Sequence, residues 1–147
     1  MDLIFTIITI LAVASSAVSD IASTAKSELT TCNSKYQANM KISGSDLPAI
    51  LNEAVATDTS DSQKVCVYDC LLRRLGALGA EGLDLQKMLT LVMGEGPGNA
   101  LQCVDLNQTV RCVCRVNSAV REDATSSTCQ ATKVLIECMK TALKCPL

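Results

Sequence analysis

Cys66-Val67-Tyr68-Asp69-Cys70-Leu71-Leu72-Arg73-Arg74-Leu75 is the stretch whose reading decides the fold. Its cysteines stand at i and i+4, one helical turn apart on a single face, with Leu71, Arg74 and Leu75 following at helical spacing among charged positions. Two thiols so placed are awkwardly disposed to bond each other, so each must reach a different element. The helix becomes a clamp between two neighbours. Cys129 and Cys138 repeat the device on a later helix, where a rise of ~1.5 Å per residue sets them ~13 Å apart along the axis.

Working outward, the pattern is helical throughout and offers no convincing strand. A mostly polar first helix is predicted over 24–38 and carries Cys32. Ser43-Gly44-Ser45-Asp46 has helix-capping chemistry, and Leu47 to Ala56 follows with Leu47, Ile50, Leu51, Ala54 and Val55 on one face. Pro48 falls in the first turn, where a missing N–H costs little. Ser60 or Asp61 caps the clamp helix, predicted over 63–78 and broken by Gly76, Gly79 and Gly82. Asp84 caps Leu85 to Met93, which presents Leu85, Met88, Leu89, Val92 and Met93 as a wide apolar stripe. The Gly-Pro-rich run 94–98 stops it. A fifth helix is predicted over 99–117 with Cys103, Leu106, Val110, Val113 and Cys114 on one face, then a loop over 118–128. The last helix ends near Leu143.

Composition narrows the function. Residues 3–13 form an apolar run too short to cross a bilayer, and Ala17-Val18-Ser19 fits signal-peptidase cleavage before Asp20. Residues 1–19 are therefore expected to be a signal peptide and 20–147 a secreted, extracellular domain. No other run approaches a membrane span, so no membrane insertion is expected. The chain has no histidine, which removes Ser-His-Asp and Cys-His catalysis and any His-containing zinc site. Carboxylates and serines occur, but at no spacing that specifies acid–base or nucleophilic chemistry. We expect no enzyme, no cofactor and no metal. The net charge of −2, spread without a basic patch, argues against nucleic acid. With two tyrosines, one phenylalanine in the leader and no tryptophan, the core must be aliphatic. All nine cysteines lie beyond the leader and read as an oxidised framework of three or four bridges with one thiol over. The expected fold is all-α: a compact bundle of about six helices cross-linked by three or four disulfides, whose spacing alone leaves open whether the staples surround an apolar cavity or a solid core.

The segment Cys66 to Gly76, continuing through Leu83-Asp84-Leu85-Gln86-Lys87-Met88-Leu89, resembles the second-to-third cysteine region of insect odorant-binding proteins. That family has six cysteines, with three residues between the second and third and eight between the fifth and sixth. Cys66/Cys70 and Cys129/Cys138 match those spacings, and Cys32 stands where the first would be. Cys114 is preferred as the fourth because it shares a face with Cys103 and Val110, while Cys112 lies off that face and stays open. The resemblance implies the bridges Cys32–Cys70, Cys66–Cys129 and Cys114–Cys138. Cys103, Cys112 and Cys145 are extra to the pattern. It further implies a carrier for a small hydrophobic molecule, an odorant, pheromone or lipid, in an internal cavity. A receptor or a second copy of the chain is left open as a macromolecular partner.

An empty interior costs ~24 cal/mol per Å³. Covalent ties can hold its walls apart, and a ligand recovers part of the cost by filling it. Leu72, Leu75, Leu85, Met88, Leu89, Val92, Met93, Val110, Leu135 and Met139 are the expected walls. With so few aromatics, aliphatic or terpenoid-like ligands should be preferred to flat aromatic ones. Without histidine, no pH-driven release near neutrality is expected. Asn107-Gln108-Thr109 is a glycosylation sequon, with Asn107 the acceptor. A plant-type lipid-transfer protein also carries Cys-x-Cys but requires an adjacent Cys-Cys pair, which is absent. The other reading is a disulfide-rich venom, salivary or seminal effector that binds a protein on the same scaffold.

Overall fold

The computed structural model describes residues 24–44, 46–93, 103–126 and 129–144; the side chains of 89, 91–93 and 124–126 are not among those described. The expected leader and the 94–98 loop lie outside the described residues. The described residues form six helices and one small hairpin: α1 over 24–36, α2 Leu47–Val55, α3 Ser62–Arg74, β1 Leu78–Gly79, β2 Gly82–Leu83, α4 Leu85–Met93, α5 Leu106–Ser126 and α6 Gln130–Ala142. The all-α disulfide-cross-linked bundle expected from the sequence is observed.

Aspartate starts most of these helices, because a carboxylate accepts from the backbone N–H groups that the first turn leaves open. Asp46 accepts from the Ala49 N–H at 2.9 Å, Asp61 from Lys64 at 3.3 Å and Asp84 from Lys87 at 2.9 Å. Asp105 does the same for α5, accepting from Asn107 and Gln108. The end of α3 is equally local. Gly76 takes φ +76, the Gly76 N–H donates to the Arg73 carbonyl and the Ala77 N–H to Leu72. This pair of reverse bonds closes a helix around a left-handed residue. The helix therefore stops at Arg74, short of the expected 78, and the chain turns into the hairpin that periodicity did not reveal.

That hairpin pairs Leu78 with Leu83 and Gly79 with Gly82. Its second strand is held on α5, where the Asn117 Oδ1 accepts from the Leu83 N–H at 2.9 Å. Gly82 has φ +126, and a Cβ there would run into the Asn117 side chain. Gly82→Ala combines backbone strain with loss of that contact. We expect it to cost ~1–3 kcal/mol in urea unfolding, whereas Gly79→Ala, with open space around it, should cost less.

The core runs through the middle of the bundle. Ala25, Leu29 and Cys32 of α1, Ile50 of α2, Val67, Tyr68 and Leu71 of α3, Leu78, Val116 of α5, and Ala131 and Leu135 of α6 form one buried cluster. Two smaller clusters surround disulfide sulfurs: Val65, Cys129 and Ile136 with Cys66, and Cys112, Cys138 and Ala142 with Met139. Among the described residues, no helix is long and apolar enough to cross a membrane.

The fifth helix departs most from expectation. Its N-terminal stretch is extended: Val104 bridges Leu143, and the Asp105 N–H donates to Ala142 at 2.9 Å. Its C-terminal half continues through 118–126, expected to be a loop, because Ala119 and Val120 prolong a buried face running through Thr109, Cys112 and Val116. The expected face was the wrong one of two with equal periodicity. Leu106 is 56% exposed and Val110 57%, so Val110 does not line the interior.

Candidate functional site

Among the described residues, three bridges brace the helices. Cys32–Cys70 ties α1 to α3, Cys66–Cys129 ties α3 to the residue preceding α6, and Cys112–Cys138 ties α5 to α6. Cys66 and Cys70, one turn apart, thus reach different partners. The expected Cys114–Cys138 bridge is not formed. Cys112, 1% exposed, faces α6 beside Val116, while Cys114, two residues on, is rotated to the outside and stays a free thiol. At ~100° per residue, two positions differ by more than half a turn, so only one of this pair could reach Cys138. Cys103 is also disulfide-bonded, with a partner outside the described residues.

The expected cavity walls divide. Leu72 and Leu135 are buried within the central cluster. Leu75, Met88 and Met139 pack against it half-covered, and Leu85 is likewise half-buried. The side chains of Leu89, Val92 and Met93 lie outside those described. Asn107 of the sequon is exposed in the first turn of α5, and the Thr109 hydroxyl donates to the Asp105 carbonyl at 2.8 Å.

A half-open cleft of about 380 Å³ opens beside this core, lined by Tyr36, Asp69, Arg73, Ala80, Val120, Asp123 and Cys129. Asp69, 6% exposed, sits one residue before Cys70. Its Oδ1 accepts from the Thr132 hydroxyl at 2.8 Å and its Oδ2 from the Arg73 Nε at 2.9 Å. Arg73 is one turn further along α3 and its side chain remains 38% exposed. Asp123 reaches across the α5–α6 connection and accepts from the Gln130 and Ala131 N–H groups, both at 2.9 Å. It supplies the cap that Cys129 cannot, since Cys129 holds a left-handed φ of 55 and makes no side-chain cap bond. A non-glycine residue in that region is uncommon; here the Cys66 bridge and the Asp123 cap hold it. Tyr36 ends α1, with the Lys35 ammonium 5.4 Å from its ring centroid.

None of the polar cleft residues was among the expected site residues. One signal was readable: Asp69 and Arg73 form an acid-to-base i,i+4 pair, which usually marks a solvated face. Only Thr132, distant in sequence, shows that the Asp69 end of the pair is buried.

Tyr68 stands in the core beneath the same helix. Burial pushes its phenol pKa up, opposed by hydrogen bonding with Thr57 and helped by the nearby Glu53 carboxylate. A raised folded pKa means the stabilisation is complete below the unfolded value of ~10 and is lost as pH rises from there through the folded pKa. We expect the urea midpoint to fall as pH rises above ~10, and Tyr68→Phe to flatten that fall.

Comparison with protein-family models, with curated proteins and with solved structures returns no match.

Proposed function

We propose that the chain is a secreted, non-catalytic carrier that takes a small, predominantly aliphatic molecule into the apolar interior of its braced bundle. The observation that carries this reading is the interlaced order of the bridges. One helix, α3, is tied by adjacent turns to α1 and to the start of α6. The third bridge closes α5 on α6. Such ties raise the free energy of the unfolded chain, so the folded chain tolerates an interior that is not packed to the usual density. The order also agrees with that implied by the resemblance to insect odorant-binding proteins, with Cys112 in the fourth place. Half-covered Leu75, Leu85, Met88 and Met139 border the core and supply apolar surface that a ligand would cover. The two methionines adapt readily to ligand shape.

Solvent extraction of the purified, oxidised protein tests this reading. Mass spectrometry should find a copurified aliphatic or terpenoid molecule near one per chain after expression in a lipid-containing host. A chain that carries none, and takes none up on incubation with long-chain alcohols or esters, is no carrier. One observation favours the second reading, a protein-binding effector: Leu106 and Val110 stand exposed one turn apart on α5, and a protein partner would cover them. A ligand-free protein that captures a defined partner through these two residues would decide for it.

A further inference from the structure

The cleft beside α3 sets an ion pair and a second carboxylate among apolar side chains, unlike the apolar interior of the proposed carrier, on which it does not draw. Both of its carboxylates are engaged. Asp69 holds the Thr132 hydroxyl on one oxygen and the Arg73 Nε on the other, and Asp123 holds two backbone N–H groups, one on each oxygen. The donors are not used up. A guanidinium carries five N–H bonds, and Arg73 commits only Nε; its two Nη groups have no partner among the described residues. Lys35 sets a second positive charge over the Tyr36 ring. The Arg73 Nη groups are donors still open to a ligand in the cleft.

We infer that this cleft binds a small organic monocarboxylate, its carboxylate held by the Arg73 Nη edge and its apolar body resting against Tyr36 and Val120. The guanidinium fork matches a carboxylate bidentately. The Asp69 contact fixes the fork in one orientation, so little side-chain freedom remains to be lost on binding. A cleft of about 380 Å³ falls in the range of about 300–1,000 Å³ usual for small-molecule sites. Tyr36 and Val120 give the lining apolar surface beside the ion pair. An ammonium ligand fits poorly, because it would face the like charge of the Arg73 guanidinium.

Three probes with one ring and different heads test this: phenylacetate, 2-phenylethanol and phenethylamine, titrated into the nitrogen-15-labelled oxidised protein. Phenylacetate should shift the Arg73 Nε–Hε and Ala80 amide signals saturably and bind at least ~10-fold more tightly than the alcohol, about 1.4 kcal/mol. Phenethylamine should shift neither signal. Arg73→Gln should abolish the preference, and Arg73→Lys should keep part of it. Arg73→Gln also strips a partner from buried Asp69 and can unfold the chain, so the wild-type shifts carry the test without it. The interior is monitored separately with the neutral dye N-phenyl-1-naphthylamine, whose uptake phenylacetate should leave unchanged; this outcome does not depend on whether the carrier reading holds. Tighter binding of the alcohol or amine, shifts confined to residues away from Arg73, or a phenylacetate preference that survives in a folded Arg73→Gln variant would overturn the assignment. Inorganic phosphate binding as tightly as phenylacetate would do the same, because the apolar wall would then contribute nothing.

Discussion

Replacing Cys66 and Cys129 together by alanine is expected to destabilise the protein by ~3–4 kcal/mol, the largest loss among the three bridges that join described residues. The bridge spans a separation of 63 residues, against 38 for Cys32–Cys70 and 26 for Cys112–Cys138. In the chain-entropy model these loops correspond to about 4.3, 3.9 and 3.5 kcal/mol at 25 °C, upper figures because native strain subtracts from them. Local structure widens the gap. Cys129 is held in a left-handed conformation at the start of α6, and the bridge lies in a small apolar cluster with Val65 and Ile136. Losing it uncovers those side chains, while relief of the left-handed conformation at Cys129 offsets part of the loss. Against a typical domain stability of 5–15 kcal/mol, the variant should remain folded at 25 °C but melt far lower. Urea unfolding of the three double variants checks this. The urea dependence should also steepen, since the freed unfolded chain exposes more surface. A loss below ~1 kcal/mol, or a smaller loss than for Cys112 and Cys138, contradicts the bracing argument.

Asp69→Ala is expected to cost ~2–4 kcal/mol. Thr132 is fully buried, and without Asp69 its hydroxyl is left with no acceptor in the core, a penalty of ~1–3 kcal/mol. Arg73 also loses its partner, but at 38% side-chain exposure it recovers most of its hydration from solvent. Thr132→Val alone should cost ~1–2 kcal/mol by thinning the hydrogen bonds around a buried carboxylate. In the double variant the two losses should fall short of additivity by at least ~1 kcal/mol, because both report one hydrogen bond. Additive losses would mean that Asp69 and Thr132 act independently.

Much of the fold was readable in the sequence because its determinants are local. The capping aspartates 46, 61 and 84 mark α2, α3 and α4, and the cysteine pair on α3 announces a helix tied to two neighbours. The errors lie where two local solutions are equally good. On α5 the set Leu106, Val110, Val113 and Cys114 and the set Thr109, Cys112, Val116 and Val120 both repeat at helical spacing. The first is the more apolar, yet the second is buried, because the pairing of 103–105 with 142–144 and the Cys112 bridge fix the rotation of the helix against α6. Neither constraint is visible without the tertiary fold. The cleft was illegible for a similar reason: Asp69 with Thr132 and Asp123 with Gln130 become neighbours only once α6 has docked.

The central claim, that this braced bundle admits an apolar guest, is met most directly by fluorescence titration of the oxidised, solvent-extracted protein with N-phenyl-1-naphthylamine. The account predicts saturable, blue-shifted emission at one dye per chain with micromolar affinity, and displacement by long-chain alcohols or esters ahead of polycyclic aromatics. Emission that never saturates, or that survives excess aliphatic competitor unchanged, would contradict it.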